Sequence, residues 1–478
     1  MTELSLWKYW GNIKISGKDA SLDDVYKLSD NIKRVIKDGG FCVARLKLNN
    51  FRCFRKLSVS FDRKLTVFHG INGRGKSSIL EIVAKSLSWI IAGMEASTKR
   101  GMQLSEDDIR LETKRNLSDD ITDALISISF DGEYINSMLR KSRDGLPKSV
   151  ISDVRDFQSL GELFRNISAR TISPRPLLLY FSTDRSAQYR GIPSDKVYKS
   201  TLKTLETNQF GVIAFDRAIK ESKDPGQFIG WFTFYAKREM LNQNLEIQKD
   251  AKEKISIVKQ AICNFWHGCS DVWLDASTGI DCVYVRIDDI DLKINQMSDG
   301  QRMVFFLFGE IAWRLIELNR SKEAMEGGGV VLIDEIELHL HPQWQGVVIE
   351  SLQKTFPNIQ FIITTHSPQV LSWVPGKCVR ELPEVIRDVE ELQNSNIQTR
   401  SLSSNDILER VMKTNAAPKQ FEEVRLLDEC ERNILNGDFD NAKKLISELE
   451  KYFGVDDYKI EVLKTMYSVM INRKQENK

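Results

Sequence analysis

The sequence has no pair of cysteines at CxxC spacing; its seven cysteines (Cys42, Cys53, Cys263, Cys269, Cys282, Cys378 and Cys430) are odd in number and scattered. That usage argues against a disulfide framework or a zinc knot and for reduced thiols in a cytoplasm. An excess of one charge is missing too. The 68 basic and 67 acidic residues leave a net charge of +1, which excludes a globally basic nucleic-acid binder and an acidic solvating tail. Any DNA contact must then be local or belong to a partner. No apolar run approaches the ~18 residues that cross a bilayer. The first residues, MTELSLWKYWG, lack a basic segment followed by an apolar one, so neither export nor a membrane span is expected. At 478 residues and 41% hydrophobic content, the chain suits globular packing in about two to four structural units.

What is present centres on residues 68–80, FHGINGRGKSSIL. Gly70, Gly75, Lys76 and Ser77 have the spacing of a phosphate-binding loop. A triphosphate needs many donors at close range, and Gly70, Gly73 and Gly75 free the backbone to aim its N–H groups inward. Leu65, Val67 and Phe68 read as a buried strand before the loop. Ile79, Leu80, Ile82, Val83, Leu87 and Ile90 repeat at helical spacing after it, so a helix begins at the phosphate, N-terminus first. Lys76 is expected to reach the β- and γ-phosphates of ATP and the Ser77 hydroxyl to ligate Mg²⁺. Asn72, Arg74 and Ser78 complete the expected nucleotide-binding loop.

The flanking chain divides into an N-terminal extension (1–41), a first lobe (42–132), a mainly helical insertion (133–279), a second lobe (280–380) and a C-terminal helical module (381–478). The extension carries Trp7, Tyr9 and Trp10 before an amphipathic helix at about 22–36. Such a helix either packs on its own domain or meets a partner, since aromatics favour interfaces. Within the insertion, LLLYFSTDR (177–185) reads as a buried strand. Residues 227–265 read as helix whose apolar spacing does not hold for several heptads, which favours short arms over a rod. VYVRIDDIDLKI (283–294) alternates around Asp288 and Asp289 and reads as a hairpin. That assignment is preferred to a metal pair of Asp289 and Asp291.

Three later segments fix the class. In GGGVVLIDEIELHLHP (327–342), four apolar residues deliver Asp334 and Glu335 to a strand's C-terminal edge, where an open α/β sheet binds ligands. Asp334 suits the Mg²⁺ shell and Glu335 the polarisation of attacking water. A metal site at Glu337, His339 and His341 is rejected, because the run enters a helix at Pro342 instead of converging. NIQFIITTHSP (358–368) ends a second strand at His366, either a satisfied structural histidine or a γ-phosphate sensor. QMSDGQRMVFFLFGEIAWRL (296–315) sets Ser298, Gly300 and Gln301 at the start of an apolar helix, a second N-terminus suited to anions.

Together NFRCF (50–54), GINGRGKS, MSDGQR, LIDEIELHLHP and TTHSP resemble the nucleotide-binding head of ABC-type ATPases, in the branch of SMC, RecF and overcoming-lysogenization proteins. The resemblance covers residues 42 to about 130 and 280–375. It implies an α/β P-loop ATPase head that dimerises head to head. ATP on one phosphate loop would meet Ser298, Asp299, Gly300 and Gln301 of the other copy. Glu335 would be the catalytic base, His366 the switch histidine and Arg52 a phosphate or adenine contact. Asp299 departs from the second glycine of the usual signature, and His341 stands where many members have an aspartate. The glutamine of the Mg²⁺ shell is unassigned, with Gln103 or the acids of SEDDIR (105–110) as candidates.

A closer resemblance is to the PtuA-like ATPases of bacterial Septu antiviral defence, related to retron-associated ATPases. It rests on the short insertion, LLLYFSTDR, the signature helix, DEIELHLHP and the tail with SSNDILERVM (403–412). It implies a companion HNH nuclease (PtuB-like), whose cleavage of DNA this ATPase gates in the cytoplasm. A RecF- or SMC-type repair clamp would want a basic face and long coiled-coil arms. A nuclease with its own TOPRIM domain would want an acidic strand-end cluster after His366. The tail helices suit either a small helical cap or a docking surface.

Overall fold

The computed structural model describes residues 6–15, 21–111, 121–143, 150–171, 173–185, 195–206, 213–219, 225–277, 281–319, 324–383, 388–414 and 421–476. In chain order, helices α1 (Leu6–Ile15) and α2 (Leu22–Lys37) lead into strands β1 (Phe41–Phe51), β2 (Phe54–Ser60) and β3 (Leu65–His69). Then follow α3 (Lys76–Glu95), β4 (Ile121–Phe130), β5 (Glu133–Ser142), α4 (Arg155–Arg170) and β6 (Leu177–Phe181). Next are α5 (Asp195–Glu206), α6 (Gly226–Leu241), α7 (Leu245–Cys263), β7 (Cys269–Asp275), β8 (Cys282–Ile287), β9 (Ile290–Lys293) and α8 (Asp299–Asn319). The first compact unit, Met1–Leu402, closes with β10 (Gly329–Ile333), α9 (Pro342–Thr355), β11 (Ile359–Thr364), α10 (Pro368–Leu371), β12 (Val379–Glu381) and β13 (Asp388–Leu392).

A parallel sheet in the order β12-β3-β11-β10-β6 forms the core. Every residue of β3, β6, β10 and β11 is buried, as continuous apolar runs require when both faces are covered. A mixed sheet, β13-β2-β1-β4-β5, lies alongside, antiparallel except for β13, which runs parallel to β2. Its β4 alternates half-exposed and buried residues along its whole length, the pattern of a strand with one wet face. β7, β8 and β9 make a third, three-stranded sheet. Helix α3 is long and apolar enough to cross a membrane by composition, yet most of it is buried in the core.

Several boundaries differ from the sequence expectation. β5 pairs with β4 and β6 with β10, so residues 133–142, where no strand was expected, and the strand expected at 177–185 both belong to the head's own sheets. Five consecutive apolar residues in β6 need burial on both faces, which a helical insertion does not offer. β13 pairs with β2, which carries the first unit past residue 381. The 227–265 helix is broken into α6 and α7, because Asn244 caps a new start by accepting from the N–H groups of Glu246 and Ile247. The extension's α2 buries Val25, Leu28, Ile32, Val35 and Ile36 within its own unit. Cys263 and Cys269 are brought side by side, a proximity that their scattered spacing with the other cysteines did not suggest. The turn between α7 and β7 brings their Cα atoms to 5.0 Å. The 288–289 turn is as expected: Asp288 and Asp289 take left-handed φ of 49° and 62°, and Asp291 pairs with Arg286 at 2.7 Å.

Two features fix α3, and with it the loop at its start. First, α3 and α4 cross at Gly93 and Gly161 with almost no side-chain spacing; a Cβ on Gly161 would stand 2.2 Å from the carbonyl oxygen of Ile90. Second, the fully buried Asp108 accepts from Arg52 at 2.9 Å and also pairs with Lys85 of α3. Arg52 in turn reaches Glu81 of α3. Burial opposes ionisation of Asp108, but Lys85, the Ser105 backbone and Arg52 overcome it and hold its pKa below the ordinary carboxylate range. The second compact unit, Ser403–Lys478, contains α11 (Glu422–Leu435), α12 (Phe439–Phe453) and α13 (Tyr458–Glu476). They pack around Cys430, Ile434, Ala442, Ile446, Leu449, Ile460 and Leu463.

Replacing Gly161 by Ala forces α3 and α4 apart. It is expected to cost about 1–3 kcal/mol, read as a lower midpoint of urea unfolding. Asp108→Ala leaves Lys85 without its carboxylate, while Arg52 keeps Glu81, and is expected to cost about 3 kcal/mol, the low end for a broken buried pair. A depressed folded pKa gives stability that is present above the unfolded carboxylate range and lost as pH falls through the folded value. The wild type should therefore lose more stability on acidification than Asp108→Ala, in melts across that acid window.

Candidate nucleotide site

The site is assembled at one edge of the parallel sheet. Val67 of β3 pairs with Ile363 of β11, and Ile363 pairs with Ile333 of β10. From that level β10 ends, β11 runs one residue further and β3 two, so the polar residues after each emerge at the same sheet edge. After β3 the chain turns through Gly70, Asn72, Gly73 and Arg74, and enters α3 at Gly75. Gly75 has φ of +83°, and a Cβ there would lie 2.5 Å from Cys53 Sγ and the Phe54 ring. Only glycine fits. Asn72 and Gly73 are exposed, whereas Arg74, Ser77 and Ser78 are half-buried at the start of α3. Lys76 is buried; its Nζ donates to the carbonyls of Gly70 at 2.7 Å and Ile71 at 3.1 Å. Burial lowers its pKa, opposed by the nearby carboxylates of Glu335, Asp334 and Glu337.

On the facing strands, Asp334 is buried and its Oδ1 accepts from the Thr364 hydroxyl. The same Thr364 oxygen accepts from the Glu335 N–H at 2.8 Å. Glu335 has a left-handed φ of +46°, so the chain reverses there and its side chain leaves the strand alternation. Neighbouring residues can thus serve different roles. His366 follows β11, and its pKa is lowered by burial and by Lys76, against the pull of Asp334. The structure thus brings Lys76, Asp334, Glu335 and His366 into one neighbourhood.

Other expected residues are used differently. Glu337 turns toward the β11 end, where it accepts from the His366 N–H and, at 2.8 Å, from the Thr365 hydroxyl. Burial raises its pKa. His341 caps α9 by accepting from Gln343 N–H. Among the described residues no group of three His, Cys, Asp or Glu is placed to hold a metal. Arg52, expected at phosphate or adenine, is committed to Asp108 and Glu81 and donates to Ser78 at 3.3 Å, so it braces the loop from behind. Asp108 is consumed in the same cluster and is not free to complete a Mg²⁺ shell. Gln103, Glu106 and Asp107 are exposed.

At the start of α8, Ser298 Oγ accepts from the Gln301 N–H at 3.3 Å, and Gln301 Oε1 accepts from the Ser298 N–H at 2.8 Å, a reciprocal cap. Asp299 pairs with Arg302 at 2.6 Å. Gly300 lies against the loop after β10, and a Cβ there would meet the His339 carbonyl oxygen at 2.6 Å. Ser298 is exposed, as presentation to a second copy requires. Farther along, α8 is anchored by buried polar groups. Arg314 pairs with Glu310 at 3.0 Å and donates to Ala214 O at 2.6 Å, and Glu317 accepts from Trp231 and Tyr235 of α6.

Sequence reasoning did not assign roles to Glu337 or Arg185. Arg185 is almost fully buried, and its guanidinium donates to the carbonyl oxygens of both Asp334 and Glu335. The signal for it was present in LLLYFSTDR, whose terminal arginine follows an apolar strand with no nearby acid to pair with except Asp184.

The AAA ATPase domain family matches residues 43–371 of the chain. The chain is 26% identical to the Retron Ec83 probable ATPase of Escherichia coli, over 96% of this chain and 92% of that one. It is 23% identical to the Septu protein PtuA of Bacillus thuringiensis, over 87% and 93%. A crystal structure of an SMC head bound to the C-terminal winged-helix domain of ScpA aligns over 71% of this chain and 94% of that one, with 15% identity and a TM-score of 0.43. With the phosphate loop and the facing carboxylates at one sheet edge, the chain belongs to the AAA ATPase domain family, and within it is similar to the PtuA and retron ATPases.

Proposed function

We propose that the chain is the ATP-hydrolysing subunit of a cytoplasmic anti-phage defence complex, in which paired heads regulate a partner HNH nuclease acting on DNA. The observation that carries the enzymatic part is the convergence of Lys76, Asp334, Glu335 and His366 at the C-terminal ends of β3, β10 and β11. The defence context is supported by relatives named as Septu PtuA and retron ATPases.

In this account the α3 N-terminus and the loop N–H groups bind the phosphates. Lys76 exchanges its two carbonyl partners for β- and γ-oxygens. The Ser77 hydroxyl and the Asp334 carboxylate form a hard oxygen donor set that would hold Mg²⁺, whose charge neutralises the β- and γ-phosphates. Glu335 takes the proton of the attacking water. Burial and Lys76 lower the pKa of His366 in the nucleotide-free chain, which favours the neutral imidazole that accepts or donates one hydrogen bond near the γ-phosphate. Ser298, Asp299, Gly300 and Gln301 of a second copy cover the nucleotide, so hydrolysis requires association.

Glu335→Gln is expected to lower phosphate release by about 10²-fold or more with nucleotide binding retained, and to hold the partner nuclease in one state. Unchanged release together with unchanged nuclease activity would show that hydrolysis is not the switch. Copies carrying Lys76→Ala or Ser298→Arg should each be inactive. Mixed in equal amounts they should regain roughly a quarter of wild-type turnover, because half the dimers then hold one complete shared site. Failure to complement refutes the shared pocket. With its pKa lowered by burial and Lys76, loss of activity from protonation of His366 in the free enzyme should appear below the ordinary histidine range in kcat/KM. His366→Gln should remove that acid limb from the pH profile.

A further inference from the structure

Glu335 combines two demands that oppose one another. As a general base its carboxylate must be placed to within fractions of an ångström, yet its backbone has a φ of +46°, a conformation that non-glycine residues disfavour. Something must hold it. From the β11 side the Thr364 hydroxyl oxygen accepts from its N–H at 2.8 Å. From the β6 side comes Arg185, 1% exposed. Its Nη2 donates to Glu335 O at 2.6 Å, and its Nη1 donates to Asp334 O and, at 2.8 Å, to Ser182 O. Its Nε lies 3.3 Å from Met303 Sδ, on the second turn of the signature helix α8.

We propose that Arg185 is a positioning residue for ATP hydrolysis: one guanidinium fixes the backbone of both strand-end acids and ties that turn to the signature helix. It touches neither nucleotide nor water in this account, and acts through Glu335. The inference therefore rests on the assignment of Glu335 as base. A planar fork of donors suits two consecutive carbonyls that have left the strand ladder; a lysine, with a single ammonium, can satisfy them only in part. The Met303 contact sets the same guanidinium against α8, which makes Arg185 a shared neighbour of the Glu335 turn and of the helix that follows Ser298.

The test uses the full chain and compares Arg185→Lys with Arg185→Met. Arg185→Met is expected to lower kcat about 10²-fold, with KM and nucleotide affinity changed less than about threefold. Arg185→Lys should recover part of that loss. Should Arg185→Met fail to fold, Arg185→Lys carries the test in a Glu335→Gln background, where no further loss of kcat is expected from residues acting as one unit. A multiplicative loss in that background, or wild-type kcat in a folded Arg185→Met, overturns the proposal. The two failures are distinguishable: if Glu335→Gln alone leaves turnover intact, the base assignment falls, whatever the Arg185 variants do.

Discussion

The structure depends on the register of three parallel strands. Val67, Ile363 and Ile333 lie side by side, and a slip of one residue along any of them would reverse which side chains face each layer of the core. The slip would also carry Lys76, Asp334 or His366 about 3 Å along the sheet, beyond hydrogen-bonding distance of their partners. Registration and chemistry are therefore one constraint. The same apolar packing that makes β3, β10 and β11 fully buried decides where the acids and the lysine meet.

Around that edge, polar groups are satisfied by backbone as much as by each other. Lys76 rests on loop carbonyls, Thr364 bridges Asp334 and Glu335, and Glu337 holds the first turn after β11. Farther back, Asp108 gathers Arg52 and Lys85, and Arg314 with Glu310 pins α8. Buried charges of this kind add little net stability over apolar packing. Their value lies in specifying one arrangement, which a site built from four separated segments requires.

Much of this was legible in the sequence. Glycine spacing with a strand before it and a helix after it located the phosphate loop, and the apolar runs ending in Asp334 and His366 located the facing strands. Three kinds of information were hidden. LLLYFSTDR announced a buried strand, but pairing partners are tertiary, so β6 was set apart from the sheet it completes. Arg52 carries the charge of a phosphate ligand, yet Asp108, fifty-six residues away, claims it; composition cannot tell a free cation from a committed one. Left-handed geometry at Glu335 is invisible in a residue type that rarely adopts it. The break between α6 and α7 was half visible: the heptads fail there, and Asn244 then supplies the cap.

That break sets a length scale. Helices of 16 and 19 residues folded back at Asn242 and Asn244 span about 25–30 Å at 1.5 Å per residue. Neither helix stands clear of the head: α6 buries Phe228, Trp231, Phe232 and Tyr235, and Glu317 of α8 accepts from the Trp231 and Tyr235 side chains. The stretch that could have carried an arm is spent instead on packing the signature helix.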